Sequence, residues 1–136
     1  MSAVVLTFKD LVVWQKGMAL ARIVYSLSAQ FPKDELFGLT AQLRRAAVSV
    51  PSNIAEGHAR RGAEFSHFLS MARGSLAEVE TQLLLAVGLG YLNNSELQQA
   101  TDLIQEIGRM LNVLGKRVSH RPKPRNPEPY PLNPGP

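Results

Sequence analysis

The stretch that decides the fold is "FSHFLSMARGSLAEVETQLLLA", residues 65–86. Phe65, Leu69, Ala72, Leu76, Val79, Leu83 and Ala86 recur at spacings of 4, 3, 4, 3, 4 and 3. That spacing lays one apolar stripe along a helix of about six turns and leaves polar residues on the other side. Strand-like alternation is absent here, so the segment predicts a long packed helix. The same rhythm returns downstream in Leu97, Ala100, Ile104, Ile107, Leu111, Leu114 and Val118. The intervening "GLGYLNNSE" supplies glycines for a helix exit and Asn94 or Ser95 as the next N-cap.

Upstream, Leu36, Leu39, Leu43, Ala46, Val50 and Ile54 mark a helix from about residue 35 to 56, with Asp34 as its cap and Gly57 closing it. Leu11, Trp14, Met18, Ala21 and Tyr25 mark another over about 8–30, stopping before Pro32 because the residue preceding proline is pushed out of helical geometry. Four helices of similar length with short connections predict an all-α chain, an antiparallel up-and-down four-helix bundle over residues 1–118. Two further apolar rows, Leu20, Val24, Leu27 and Phe31 on the first helix and Leu103, Met110 and Val113 on the fourth, exceed the one face a bundle needs. They imply burial against another subunit, the alternative being one broad stripe in a wide core.

Residues 121–136, "RPKPRNPEPYPLNPGP", hold seven prolines in sixteen positions, so residues 119–136 are expected to form a disordered, polyproline-like tail. The charge sits there too. Residues 1–115 carry ten Lys/Arg and ten Asp/Glu, whereas Lys116, Arg117, Arg121, Lys123 and Arg125 face Glu128 alone and account for the net +4. The basic pI therefore describes the tail, not the body. The absence of cysteine removes disulfides, thiolate nucleophiles and Cys-based metal sites. With no apolar run long enough for a signal peptide or a membrane span, the expectation is a soluble cytoplasmic protein that contacts no membrane.

Catalytic patterns are missing. A di-iron bundle needs two Glu-x-x-His pairs; Glu64 and His67 make one, off the core register, and no second pair exists. "GLGYL" lacks the preceding strand of a dinucleotide fingerprint, and Glu78 and Glu80, two apart on a helix, point in different directions. No enzyme, metal, cofactor or small-molecule substrate is expected. Arg44, Arg45, Arg60, Arg61, Arg73, Lys116, Arg117, Arg121, Lys123 and Arg125 are candidate contacts to nucleic acid, since guanidinium forks suit phosphate. Solvated helix faces carry such residues as well, so a protein–protein module with no nucleic-acid role is the alternative.

In "SVPSNIAEGHARRG", residues 49–62, Pro51 lies inside the second helix, removes the bond to the carbonyl of residue 47 and predicts a bend. Ser49 and Ser52 are placed to satisfy the freed groups. Asn53 and Glu56 fall near the core stripe, predicting a buried polar network of Asn53, Glu56, Arg60, Glu78 and Gln82, with Gly62 as a passable cap for the third helix.

The segments "FKDLVVWQKGMALA" (8–21), "FPKDELFGLTAQLRRAAVSVPSNIAEGHARR" (31–61) and "EFSHFLSMARGSLAEVETQLLLAVGLGYL" (64–92) together resemble the four-helix bundle family of 23S rRNA intervening sequence proteins. The patterns S-N-I-A-E-G-x-x-R and G-S-L-x-E-x-E-x-Q-L carry the likeness, which places the family signature on Asn53, Glu56, Gly57, Arg60, Gly74, Ser75, Glu78 and Gln82. Gly74 and Ser75 suit a close approach of helices. The resemblance implies a homopentamer without assigned enzymatic activity. Some members are encoded within insertions in ribosomal RNA genes, and a similar protein of diversity-generating retroelements binds a reverse transcriptase and nucleic acid. The expectation is a homo-oligomeric scaffold that contacts RNA, DNA or such an enzyme.

Overall fold

The computed structural model describes residues 7–119. These form four helices, α1 (Val12–Ser28), α2 (Leu39–Arg60), α3 (Gly62–Gly88) and α4 (Asn94–Ser119), and no strand among the described residues. Each helix packs against its two neighbours, α1 on α2, α2 on α3, α3 on α4 and α4 back on α1. The bundle is therefore closed around one core. None of the described helices is long and apolar enough to cross a membrane. The proline-rich tail, with Arg121, Lys123 and Arg125, lies outside the described residues, so its expected disorder is neither met nor contradicted.

The stripes of α3 and α4 are buried as their spacing predicts. On α1 the expectation holds only in part. Leu11 and Ala21 of the expected stripe are buried, but so are Val13, Gly17, Leu20, Val24 and Leu27, continued by Phe31, whereas Tyr25 is exposed and Trp14 and Met18 only half-buried. Gly17 faces Pro51 of α2, an added Cβ falling 3.4 Å from that of the proline, in ordinary contact. The apolar row proposed as surplus is thus the core row, and Leu103 and Met110 of α4 also pack on the core. Those rows give no argument for a second subunit.

Helix ends differ from the sequence reading as well. The chain starts with a 3-10 turn, Phe8–Asp10, capped by a reciprocal Thr7–Asp10 box, and Leu11 is extended, so α1 is shorter than 8–30. A second 3-10 turn, Lys33–Glu35, stands where Asp34 was expected to open α2. The cap comes instead from Glu35, whose Oε1 accepts the Leu39 N–H at 3.2 Å. Asn93, not Asn94 or Ser95, caps α4: its Oδ1 accepts the Glu96 N–H at 2.8 Å, while the Glu96 carboxylate accepts the Asn93 N–H. At the exit of α3, Gly90 adopts φ +80 and Tyr91 N–H reaches back to the Ala86 carbonyl, closing the helix as the "GLGY" run suggests.

The α2–α3 joint is a single residue. Gly57 does not end α2. Its missing Cβ admits Phe65 and Phe68 of α3, the latter's Cβ lying 2.9 Å from where a Gly57 Cβ would stand. The reversal falls on Arg61, at φ 60 and ψ 178, a conformation an L-residue adopts at a cost of about 1–3 kcal/mol, and on Gly62, also at φ 60, where glycine meets no such cost. Gly62 is accordingly the first residue of α3, not its cap. Pro51 sits in an unbroken α2, and neither serine repairs its lost bond: the Ser49 hydroxyl donates to the Arg45 carbonyl, and Ser52 is exposed.

Candidate interaction faces

A one-residue reversal fixes a mirror register, in which residue 61−n of α2 lies beside residue 61+n of α3, as Gly57 does beside Phe65. Asn53 therefore sits level with Leu69, and Glu56 with Ser66. Glu78 and Gln82 lie level with Arg44 and Thr40, about 20 Å further along the axis at 1.5 Å per residue. The five-residue polar network cannot form. Asn53 Nδ2 donates to the Ser49 carbonyl of its own helix at 2.8 Å. Glu78 is exposed, and Gln82 Oε1 is buried with no hydrogen-bond partner.

Glu56 and Arg60 do meet, but on the surface. The Arg60 guanidinium bonds Glu56 at 3.0 Å, approaches Glu64 at 3.5 Å and lies 5.3 Å from the Phe68 ring centre. The hydrogen bond from Glu56, ahead of its charge, raises the Arg60 pKa. Arg60 thus ties the end of α2 to the first turn of α3. At the opposite end, the Tyr91 hydroxyl donates to Glu35 Oε2 at 2.8 Å, which raises the tyrosine pKa, and its ring rests against Phe31.

The seven candidate phosphate contacts among the described residues do not share a surface. Arg44 and Arg45 lie on the α1–α2 face, Arg73 and Lys116 in the α3–α4 groove on the opposite side of the bundle, and Arg60 and Arg61 at the joint. Arg117 is exposed near the end of α4 and has interactions of its own.

The α1–α2 face also holds what sequence reasoning missed. Phe37 is 93% exposed, and with Tyr25, Leu36 and Val48, all exposed, it borders a groove of about 610 Å³ that includes both arginines. Arg44 Nε donates to Ser28 Oγ at 2.8 Å, and its guanidinium lies 4.6 Å from the Tyr25 ring centre. The arginine is pinned flat along the groove wall. One signal was available: "ELFGL" puts a phenylalanine next to a glycine in a helix connection, where no core position exists.

The α3–α4 groove is polar and encloses about 250 Å³. Arg73 Nη1 donates to Asn112 Oδ1 at 2.5 Å, holding one guanidinium edge, and the same two residues border an adjoining pocket that includes Glu80. No group of three or more His, Cys, Asp or Glu residues among the described residues is placed to hold a metal ion. No curated protein matches the chain. The model of the 23S rRNA-intervening sequence proteins matches residues 9–113, nearly the whole bundle, and the chain belongs to that family.

Proposed function

We propose that the chain acts as a non-enzymatic scaffold that assembles into a closed homo-oligomer, the α1–α2 face of one copy seated on the outer face of α3 of the next. The observation that carries this is Phe37, 93% exposed beside Leu36, Tyr25 and Val48, a patch that a solitary soluble chain has no reason to keep. The complementary surface is on α3. Met71, Glu78 and Leu85 recur every seven residues and are exposed, as are Gly74 and Gly88, where a Cβ would meet nothing within 4 Å. A helix edge that bare leaves room for another backbone. Arg45 on one face and Glu78 on the other form no ion pair among the described residues, and their charges match across such a contact.

Two unlike patches per copy favour head-to-tail pairing over a two-fold dimer. They lie on adjoining sides of the bundle, so each added copy turns the chain of subunits and the assembly closes. The family resemblance supports closure at five. The partner class we favour is nucleic acid or an enzyme that processes it.

Light scattering at micromolar concentration tests the assembly. A mass several-fold above 14.9 kDa is expected, falling to that of one chain in Phe37→Asp with helix content intact. Arg45→Glu and Glu78→Arg should each weaken assembly and restore it when combined. A single-chain mass for the unaltered protein would overturn the reading.

A further inference from the structure

We infer that the α3–α4 groove is a phosphoanion site, with Arg73 and Lys116 as its cations and Ser66 and Ser70 as hydroxyl donors, the Ser119 hydroxyl being engaged by the Lys116 carbonyl. Two short series build it. Ser66, Ser70 and Arg73 follow one edge of α3 at spacings of four and three, and Asn112, Lys116 and Ser119 follow the facing edge of α4 at the same spacings. The antiparallel packing brings the edges together, and Gly115 keeps the floor between them open, with nothing within 4 Å of where its Cβ would stand.

Charge and geometry select the ligand. No carboxylate lines this groove, and neither Arg73 nor Lys116 forms an ion pair among the described residues. Arg60, by contrast, is held between Glu56 and Glu64. Asn112 orients the Arg73 guanidinium, leaving its outer N–H groups to form the two-pronged contact that suits a tetrahedral phosphate. Lys116 adds a point charge from the last turn of α4, where a cation already complements the helix dipole. Ser66 stands near the first turn of α3, whose positive end favours an anion.

The site rests on the scaffold reading only for the owner of the phosphate, a nucleic-acid backbone or a free phosphate compound. Full-length protein is titrated at constant ionic strength with inorganic phosphate, pyrophosphate and single-stranded RNA, by calorimetry and fluorescence anisotropy. Arg73→Gln and Lys116→Gln should each weaken binding roughly tenfold, the share of a charge-assisted hydrogen bond. Arg22→Gln, which removes the same charge from exposed α1, should not. RNA binding that inorganic phosphate displaces assigns the site to a phosphodiester backbone. Binding of phosphate or pyrophosphate without RNA assigns it to a free compound. No binding by any probe, or equal weakening by Arg22→Gln, overturns the proposal. Repeating the titration in Phe37→Asp separates a failure of the groove from a failure of assembly, because the two lie on opposite sides of the bundle.

Discussion

His58 is buried at 5% exposure in the last turn of α2, its ring edge-on to Phe65 and within electrostatic reach of Asp10 and Arg61. Burial first, then the Arg61 charge, lowers its pKa below the ordinary 6.5, with Asp10 pulling the other way. In the unfolded chain the imidazole takes up its proton at the ordinary value, so acidification favours unfolding. The contribution to stability is complete above about pH 6.5 and is lost as the pH falls towards the folded value. The melting temperature should therefore drop between about pH 7 and pH 5 more steeply in the native chain than in His58→Leu. Parallel curves would show that His58 is not the group responsible. Its neighbours explain what the residue types concealed. Gly57 reads as a helix stop because glycine so often is one, whereas here it makes room for two phenylalanines; the turn falls instead on Arg61 and Gly62, both at φ 60, the first a type that gives no such signal.

Among the elements, α3 and α4 were legible because every stripe position is a large or small apolar residue in unbroken rhythm. α1 was not, because its buried row contains Gly17, which a search for hydrophobic residues skips, while Trp14 and Tyr25 advertise the wrong side. Amphipathic aromatics of this kind rest at the rim of a core. The connections have their own stabilising contact, the Tyr91–Glu35 hydrogen bond between the α3–α4 loop and the turn preceding α2. Tyr91→Phe should lower the midpoint of denaturant unfolding, since the Glu35 carboxylate loses its donor. An unchanged midpoint would mean that water replaces the hydroxyl without loss.

For the molecule as a whole, Gly74 separates folding from assembly. It lies mid-helix, exposed, with empty space where a Cβ would be, so Gly74→Ala should raise the stability of the single chain by about 1 kcal/mol, measured in the Phe37→Asp background. In the assembling protein the added methyl occupies the surface proposed to receive the next copy, and the oligomer should dissociate more readily on dilution. The fold needed only periodicity to be read. The interaction faces needed to know which residues the packing leaves outside, and that depends on which of two stripes on α1 turns inward. The seven candidate cations among the described residues read as one surface in sequence, and the packing distributes them over several faces.

That register makes the α2–α3 joint a ruler. With Arg61 alone between the two helices, adding one residue would advance α3 by about 1.5 Å and rotate it by about 100° against α2, bringing Glu64 or Ser66 inward in place of Phe65. The loop between α3 and α4 spans residues 89–93 and carries exposed Leu89, Gly90 and Asn93, so it can lengthen without moving either helix. An inserted segment should therefore be tolerated beside Gly90 and not at Arg61, which melting curves of the two insertion variants would check.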